Sequence, residues 1–415
     1  MNVRRAAWET LVSVAEDGAY ANLALKEAAK TVSENNIPKL YSLVYTALEQ
    51  RSYMEYILSH YCKRQKKAIR NVLLLGASEL LFSQTPAHAV INETVALAKA
   101  IGKRDSAGLV NAVLRRIDRE MDALPSLPAD PLERLVIRYG YPCWVVSEWV
   151  DAYGVENAEK LLQTPPSAMQ VRAQYPLTTE QLKTMLPCQA TNGRIDPNCL
   201  HLSQGFDIEK SDLYRDGSLV VQNEGAMMIV RALGDVRGKT VLDACAAPGG
   251  KSAYLYSLFE GNVNITAWEL HPHRRELMDH LFSRLRVQAH TECRDASRFE
   301  AAYRDVFDAV LLDVPCSGLG LLADKPDLRY RITQDSINGI VDTQKAILEA
   351  CSQYVKPGGT LVYATCTISK RENEQQVGAF LEKHKAFTLL SEKQYLPFRD
   401  GIDGFYHATM KRGIE

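Results

Sequence analysis

Apolar residues recur every three or four positions along the first third of the chain. Ala7, Leu11, Val14 and Ala15 begin this pattern, which has the period of an amphipathic helix. The same spacing predicts a second helix through Leu25, Ala28, Ala29 and Val32, and further helices at 40–49, 53–61, 69–82, 91–101 and 107–117. An all-helical domain of this size can fold by itself.

From residue 219 onward, short apolar runs alternate with longer amphipathic stretches. Strands are predicted at 240–243, 264–269, 287–292, 307–313 and 359–365, and helices at 224–233, 250–259, 272–285, 335–355 and 371–384. Such alternation is typical of a mostly parallel, doubly wound α/β sheet. Sheets of this kind bind ligands at the carboxyl ends of their strands.

A segment punctuated by prolines, residues 125–131, ends the helical pattern. Beyond it, helical pieces at 135–139 and 145–153 and a strand at 170–173 predict a small mixed α/β domain. A chain of 415 residues exceeds the usual size of a single core. We therefore predict a helical domain at 1–125, a linker with a small mixed domain at 126–217, and a sheet domain at 218–415.

The composition is that of a soluble globular protein, with 46% hydrophobic residues, 24% charged residues and a net charge of −1. There is no signal-peptide pattern, and no apolar run approaches the roughly 20 residues that span a bilayer. Nine cysteines without a C-x-x-C pair favour free thiols over a disulfide framework or a structural zinc site. We expect a cytoplasmic monomer with no metal and no membrane contact.

Residues 241–252, V-L-D-A-C-A-A-P-G-G-K-S, have the small residues and glycines of a cofactor-binding turn between a strand and a helix. A phosphate loop would need glycine where Cys245 stands, and a dinucleotide turn needs G-x-G-x-x-G, so both are excluded. S-adenosylmethionine remains as the cofactor, against the alternative of an ordinary glycine-rich loop.

Two acids follow the next predicted strands. Glu269 ends the second strand, where it could accept hydrogen bonds from both ribose hydroxyls, and Asp295 follows the third, where it could accept from the adenine amino group. Each alone could be a turn or helix cap. With the turn they predict an adenosyl site made of Cys245, Ala246, Ala247, Pro248, Gly249, Gly250, Lys251, Glu269, Arg274, Asp295 and Asp313.

Asp313 and Cys316 follow the fourth predicted strand, and Cys366 follows the fifth. Two thiols and an acid beside a methyl donor suit methylation at carbon 5 of cytosine. That carbon becomes nucleophilic only after a thiolate adds to carbon 6 and ring nitrogen N3 is protonated, and Lys251 could lower a thiol pKa. Buried cysteines are also often inert, and the residues alone do not decide which thiol would attack.

Cations cluster at two places in the helical region, and either cluster could be a solvated helix face or a surface that contacts RNA phosphates. The residues are Lys63, Arg64, Lys66, Lys67, Arg115 and Arg116.

The helical region resembles the NusB-like RNA-binding module of antitermination factors. The resemblance depends on A-H-A-V-I-N-E-T-V at 87–95, Ala98-Lys99 and L-V-N-A-V-L-R at 109–115. It implies RNA binding, whereas periodicity predicts only a helical bundle.

The sheet region resembles the Nol–Nop–Sun family of RNA 5-methylcytosine methyltransferases. The match runs from about residue 165 to the C-terminus, through D-x-C-A-A-P-G-G-K at 243–251, D-x-P-C-S-G at 313–318 and T-C-T at 365–367. Lesser matches are K-P-D at 325–327, Gln344, E-N-E at 372–374 and D-G-F at 403–405. The resemblance implies a Rossmann-like class I methyltransferase domain.

A NusB-like module in front of this domain is the layout of the bacterial Sun group of the family, whose members methylate a cytosine of 16S ribosomal RNA. The resemblance therefore implies 16S ribosomal RNA as partner, naked or within a partly assembled small subunit. It also implies that Cys366 attacks carbon 6, that Cys316 assists release, and that Asp313 contacts N3 of the base with Lys251 close by. Gln170, Arg172 and Asn223 depart from the family pattern, which puts RNA contacts near the small domain in doubt.

Other interpretations stay open at this point. The enzyme could act on another structured RNA such as tRNA, or the chain could be an RNA-binding assembly factor with a vestigial catalytic domain. The intact cysteine pair, Asp313 and the cofactor turn argue against the latter. A methyltransferase for small molecules or proteins would need neither a nucleophilic thiol nor a helical RNA module.

Overall fold

The computed structural model describes residues 2–63, 66–323 and 327–414. They form two compact units: unit 1 consists of the described residues up to 163 and of residues 327–333, and unit 2 of residues 164–323 and 334–414. The bounds of the three predicted domains stay predictions. None of the helices in these ranges is long and apolar enough to cross a membrane.

Unit 1 is helical, as the periodicity predicts. Its helices are α1 Val3–Glu16, α2 Ala21–Ala29, α3 Ile37–Glu49, α4 Arg51–Tyr61, α5 Lys67–Phe82, α6 Ala87–Ala100, α7 Ala107–Arg119, α8 Pro131–Tyr139, α9 Cys143–Tyr153 and α10 Val155–Leu162. The apolar stripes of α1 and α3 to α7 meet in one core that includes Leu11, Val44 and Leu114. This burial is what stabilises helices too short to persist alone in water.

The end of α2 and the start of α8 differ from the predicted ones. α2 ends at Ala29, so Val32 lies outside it although its spacing fits the apolar stripe. α8 begins at Pro131, before the predicted start at Leu135. The reason is the Asp130 carboxylate, which caps the helix by accepting a hydrogen bond from the backbone N–H of Glu133 at 2.8 Å. The helix ends at Tyr139, as predicted, and Gly140 follows with the left-handed φ of 72° common after helices. α10 was not predicted.

Residues 327–333, which begin with the last residue of the K-P-D match, belong to unit 1. The Asp327 carboxylate accepts a hydrogen bond from the backbone N–H of Ala21, and the Tyr330 hydroxyl donates to the carbonyl of Leu48 at 2.8 Å. Lys325 and Pro326 lie outside the described residues. Asp327 therefore has a structural role in unit 1.

Unit 2 begins with a small antiparallel sheet and two short helices, in agreement with the small mixed α/β fold predicted for this segment. Its elements are β1 Gln170–Ala173, α11 Thr179–Met185, β2 Ala190–Asn192, β3 Cys199–Leu202, α12 Asp212–Arg215 and β4 Leu219–Val221. The strands are antiparallel in the order β2-β3-β1-β4. They pack on a small core around Val171, Leu182 and Leu200.

A second sheet, seven-stranded in the described part of the chain, forms the rest of unit 2. Its elements are α13 Glu224–Arg231, β5 Thr240–Asp243, α14 Gly250–Leu258, β6 Asn264–Glu269, α15 Pro272–Leu285, β7 Ala289–Cys293, β8 Phe307–Asp313, α16 Gln334–Cys351, β9 Val355–Thr365, α17 Glu374–Lys383, β10 Phe387–Gln394, α18 Pro397–Asp400 and β11 Tyr406–Arg412. The strand order is β10-β11-β9-β8-β5-β6-β7.

Five of the seven strands, β9, β8, β5, β6 and β7, are parallel to their neighbours in this order. This confirms the predicted mostly parallel sheet. The strand predicted at 359–365 is longer in the structure, where β9 begins at Val355. The helix predicted at 335–355 is shorter, because α16 ends at Cys351. The antiparallel pair β10 and β11 was not predicted. Leu389 and Leu390 are exposed on β10, which lies at the sheet edge, so its sequence lacks the continuous apolar run of a central strand.

Candidate active site

The turn after β5 is built around Asp243 and Gly249. The hydroxyl of Ser252, in the first turn of α14, donates to the buried Asp243 carboxylate at 2.6 Å. Burial raises the pKa of Asp243 to about 6, against the opposing effect of that hydrogen bond. This contact ties the strand end to the start of the helix.

Gly249 has a φ of 103°, and a Cβ there would lie 2.8 Å from the Phe282 ring and 3.0 Å from Met278. Glycine is thus needed at this position for packing between α14 and α15. The sequence interpretation, in which the small residues of the turn let a ligand approach, does not account for this contact.

A cavity of about 310 Å³ opens at the carboxyl ends of β5, β6, β7 and β8, as expected for a doubly wound sheet. Eight of the predicted site residues line it: Cys245, Ala247, Glu269, Arg274, Asp295, Asp313, Cys316 and Cys366. The predicted Ala246, Pro248, Gly249, Gly250 and Lys251 are not among its lining side chains in the described part of the chain. Ala246 and Gly249 are buried in the protein instead.

The two predicted acids occupy neighbouring strand ends of this cavity. Glu269 is almost fully buried, accepts from the backbone N–H of His271 at 2.9 Å, and has Arg274 within 3.4 Å of its Oε2. A hydrogen bond from Ser297 lowers the pKa of Asp295. Each carboxylate oxygen has two acceptor positions, so Glu269 keeps capacity for ribose hydroxyls.

The cavity fits S-adenosylmethionine. Its size lies within the range of small-molecule sites, and its walls combine acids with apolar surface from Leu270, Val314 and Ile347. The acids suit the hydroxyl and amino donors of adenosine, and the apolar walls suit the adenine ring. Sequence reasoning missed the apolar walls and also Arg294, Ser297 and Thr343, because single residues in loops and on α16 carry no motif.

Lys251 and Asp313 form a close ion pair beside the cavity. Lys251 Nζ lies 2.5 Å from Asp313 Oδ2, and the two side chains are only 16% and 25% exposed. Burial lowers the pKa of Lys251, but the charge of Asp313 and its hydrogen bond outweigh that effect, so the net pKa is raised. Lys251 therefore remains a cation. A negative charge on Cys366 also raises the pKa of Lys251 and so favours its charged form.

The thiols of Cys316 and Cys366 meet at the tips of β8 and β9, with their Sγ atoms 3.2 Å apart. The backbone N–H of Cys366 also points to Cys316 Sγ at 3.4 Å. The predicted convergence of the two cysteines and Asp313 on neighbouring strands is confirmed by the strand order. The roles assigned to these residues stay predictions.

Of the three departures from the family pattern, Gln170 and Arg172 are buried and Asn223 is half-buried. Arg172 is fully buried and donates to Gln222 at 2.6 Å and to Gln174 at 2.7 Å. Gln170 accepts from the backbone N–H of Glu224 at 2.5 Å, and Asn223 donates to the Asp403 carboxylate. Of these side chains, Gln170 joins the small sheet to α13, and Asn223 contacts the segment just before β11.

Cys199, His201 and Glu224 are close enough to one another to suggest a metal site. His201 Nε2 and the Glu224 carboxylate, however, are hydrogen-bonded to each other. Glu224 accepts hydrogen bonds from His201 and from the backbone N–H groups of Ile195 and Asp196. Although burial raises the pKa of Glu224, these bonds outweigh it and bring the pKa to about 2. Burial raises the pKa of the Cys199 thiol, which disfavours the thiolate that a metal needs.

The predicted phosphate-contacting cations lie on unit 1. Lys63, Lys66 and Lys67 are exposed, and Arg64 lies outside the described residues. Arg116 is engaged by Glu120 at 2.9 Å and lies over the ring of Tyr61. RNA contact by these residues stays a prediction.

Comparison with known proteins gives matches along the whole chain. Residues 230–411 match the family model described as 16S rRNA methyltransferase RsmB/F, and residues 1–119 match the NusB family. The "Probable ribosomal RNA small subunit methyltransferase B" of Bacillus subtilis is 34% identical over 99% of both chains. The ribosomal RNA small subunit methyltransferase B of Vibrio vulnificus is 30% identical, also over 99% of both chains.

Solved structures share the fold. The crystal structure of PH0851 superposes with a TM-score of 0.80 at 21% identity and covers 98% of this chain and 99% of that one. NSun6 from Pyrococcus horikoshii, solved with the S-adenosylmethionine analogue SFG, has a TM-score of 0.59 at 18% identity and covers 66% of this chain and 98% of that one.

Proposed function

Because this chain belongs to the family of ribosomal RNA small subunit methyltransferases B, we propose that it methylates carbon 5 of a cytosine in 16S ribosomal RNA through a covalent bond from Cys366 to the base. The observation that carries the proposal is the pair of thiols 3.2 Å apart at the rim of the cofactor cavity, beside the ion pair of Lys251 and Asp313. A methyltransferase that needs no covalent intermediate has no use for two thiols at this place.

Activation of the base is the first task of the site. Addition of a thiolate to carbon 6 and protonation at N3 convert the ring into an enamine that is nucleophilic at carbon 5. In this proposal Asp313 contacts N3. Lys251 donates to the Asp313 carboxylate at 2.5 Å, so a proton would pass from the ammonium group through Asp313 to the ring.

Electrostatics favour Cys366 as the attacking thiolate. Its charge interacts favourably with that of the Lys251 cation, and a nearby cation stabilises a thiolate. Cys316 has the opposite surroundings: its hydrogen bond to Cys366, its burial, and the negative charges of Glu372 and Asp313 all raise its pKa. Cys316 is therefore the thiol that keeps its proton.

Glu269 and Asp295 would hold the adenosine part of S-adenosylmethionine, which supplies an electrophilic methyl group on its sulfonium sulfur. After methylation, N3 returns its proton to Asp313 and the proton on carbon 5 is released to water. The electron pair of that C–H bond forms the double bond between carbons 5 and 6, and the bond from Cys366 to carbon 6 breaks with its pair on sulfur, which restores the aromatic ring. Cys316 lies in hydrogen-bond contact with the departing sulfur and can return a proton to it. Cys316 thus assists release of the RNA.

The substrate has to present an unstacked cytosine, because carbon 6 is inaccessible within a helix. Exposed Lys63, Lys66 and Lys67 on unit 1 would contact phosphates and position the RNA without reading its sequence. We propose that the protein acts in the cytoplasm as a monomer.

Bisulfite sequencing of ribosomal RNA tests this function. In cells that lack the protein, we expect one cytosine of 16S ribosomal RNA to lose its protection from bisulfite conversion, and the wild-type protein to restore it. Unchanged protection throughout 16S ribosomal RNA, or loss confined to a tRNA, would contradict the proposed substrate.

The cofactor assignment predicts a binding defect in Glu269→Gln. Since this change removes a carboxylate that would accept two ribose hydroxyls, we expect the Kd for S-adenosylmethionine to rise about 10- to 100-fold, as for the loss of charge-assisted hydrogen bonds. Isothermal titration calorimetry measures the Kd. Glu276→Gln, at an exposed position of α15, serves as the control and should leave it unchanged. Equal Kd values for both variants would remove Glu269 from the cofactor site.

A further inference from the structure

Both loops that carry the cysteines converge on one buried carboxylate. Glu372 lies between β9 and α17 and has no exposed surface. Its Oε2 accepts hydrogen bonds from the backbone N–H of Ser317 at 2.8 Å and from Gln344 Nε2 at 3.0 Å. Its Oε1 accepts from the hydroxyls of Ser317 at 2.5 Å and of Thr367 at 3.3 Å. Four donors surround a single carboxylate, which is the arrangement that a buried charge requires.

Three of the four donors belong to the residues next to the cysteines. Ser317 directly follows Cys316, and Thr367 directly follows Cys366. The hydroxyls of Ser317 and Thr367 also lie 2.8 Å from each other. The carboxylate therefore joins the two loops at equivalent positions.

Further hydrogen bonds hold each loop from its other side. Gln344 Nε2 donates to the carbonyl of Pro315 at 3.0 Å as well as to Glu372. Asn373 accepts from the hydroxyl of Thr365 at 2.6 Å and donates to the carbonyl of Thr367 at 3.0 Å. The residues on both sides of each cysteine are thus held by hydrogen bonds. Glu372 takes part at both loops, through Ser317 and Gln344 at the first and through Thr367 at the second.

We propose that Glu372 is the positioning residue of the cysteine pair, since its carboxylate fixes both loops and thereby the separation of the Cys316 and Cys366 thiols. Glu372 is not among the residues that line the cofactor cavity within the described ranges. It therefore acts through its neighbours, and its role is distinct from cofactor binding. The inference rests on the proposed function, in which both thiols act in turn on one base.

The charge of Glu372 also affects Cys316. Cys366, Glu372 and Asp313 face this thiol, and the hydrogen bond to Cys366, burial and these charges raise its pKa. Burial raises the pKa of Glu372 as well, but hydrogen bonds from Ser317, Gln344 and Thr367 oppose that effect. The carboxylate thus helps Cys316 to keep its proton.

Glu372→Gln tests the positioning role, because the amide keeps the shape but presents an NH₂ group to donors. We expect kcat for methylation of a 16S ribosomal RNA fragment to fall about 100-fold, as for misplacement of reacting groups by about 1 Å. The KM for RNA and the Kd for S-adenosylmethionine should stay unchanged. Glu382→Gln, at an exposed position of α17, is the matched control and should retain the wild-type kcat.

A measurement without RNA separates this inference from the proposed function. In a Cys366→Ala background, mass spectrometry follows the alkylation of Cys316 by iodoacetamide across a pH series. Loss of the negative charge in Glu372→Gln should move the alkylation profile to lower pH, which a purely structural defect would not do. An unshifted profile together with a wild-type kcat would overturn the inference even if the wild-type enzyme makes 5-methylcytosine.

A second variant covers the case in which Glu372→Gln does not fold, judged by loss of S-adenosylmethionine binding. The double variant Ser317→Ala/Thr367→Val keeps the carboxylate and removes two of its donors. A kcat lowered at least tenfold with intact S-adenosylmethionine binding supports the inference. A wild-type kcat in this variant overturns it.

Discussion

Cys366→Ala is expected to abolish methyl incorporation into 16S ribosomal RNA. Without a thiolate to add to carbon 6, carbon 5 of cytosine has no means of becoming nucleophilic, and removal of a covalent nucleophile costs several orders of magnitude in rate. Transfer of tritiated methyl groups from S-adenosylmethionine measures the loss. Cys143→Ala, which changes an exposed thiol of α9, is the control and should be fully active.

The matching change in the other thiol should have a different result. Cys316→Ala leaves the nucleophile in place but removes the donor that would protonate the departing sulfur, 3.2 Å away. We therefore expect RNA to accumulate in a covalent complex that survives denaturing electrophoresis. If Cys366→Ala kept full activity and Cys316→Ala formed no complex, the two roles would be wrong.

Lys251→Met should give the second largest defect. The change keeps the length of the side chain but removes the cation that contacts Asp313 and favours the Cys366 thiolate. Loss of both the proton source and the thiolate stabilisation should lower kcat about 10²- to 10⁴-fold, the usual contribution of a positioned acid or base. Lys239→Met, an exposed lysine just before β5, is the control.

The pH–rate profile of Lys251→Met distinguishes an electrostatic defect from a structural one. A thiol that has lost a neighbouring cation ionises at higher pH. The acid limb of the profile should therefore move upward, and residual activity should recover as the pH rises. A profile of unchanged shape with the same loss of rate would contradict the electrostatic role.

The architecture of the sheet domain could be predicted from its sequence because its central strands are short runs of apolar residues. The runs at 240–243 and 307–313 are buried on both faces and read as continuous apolar segments. The edge pair β10 and β11 could not be predicted in this way. On β10 only Phe387 is buried, so the strand depends on pairing with β11 and on no apolar pattern of its own.

The two thiols and Asp313 could be predicted to lie together because these reactive side chains stand at or just past the ends of predicted strands. Asp313, Cys316 and Cys366 each lie at or just past a strand end, so the convergence of the two thiols followed from parallel pairing. Glu372 follows no strand end, and nothing in its local sequence indicates that four donors from three separate segments surround it. Such contacts come from tertiary packing, which periodicity and spacing do not encode.

The covalent bond between sulfur and base is the central claim, and mass spectrometry of the trapped complex tests it most directly. Cys316→Ala is incubated with 16S ribosomal RNA and S-adenosylmethionine, digested with protease and nuclease, and searched for a peptide that carries a methylated cytidine. We expect the nucleotide to be attached to Cys366. Attachment to another residue, or no attached nucleotide under conditions in which the wild-type enzyme methylates the RNA, would contradict it.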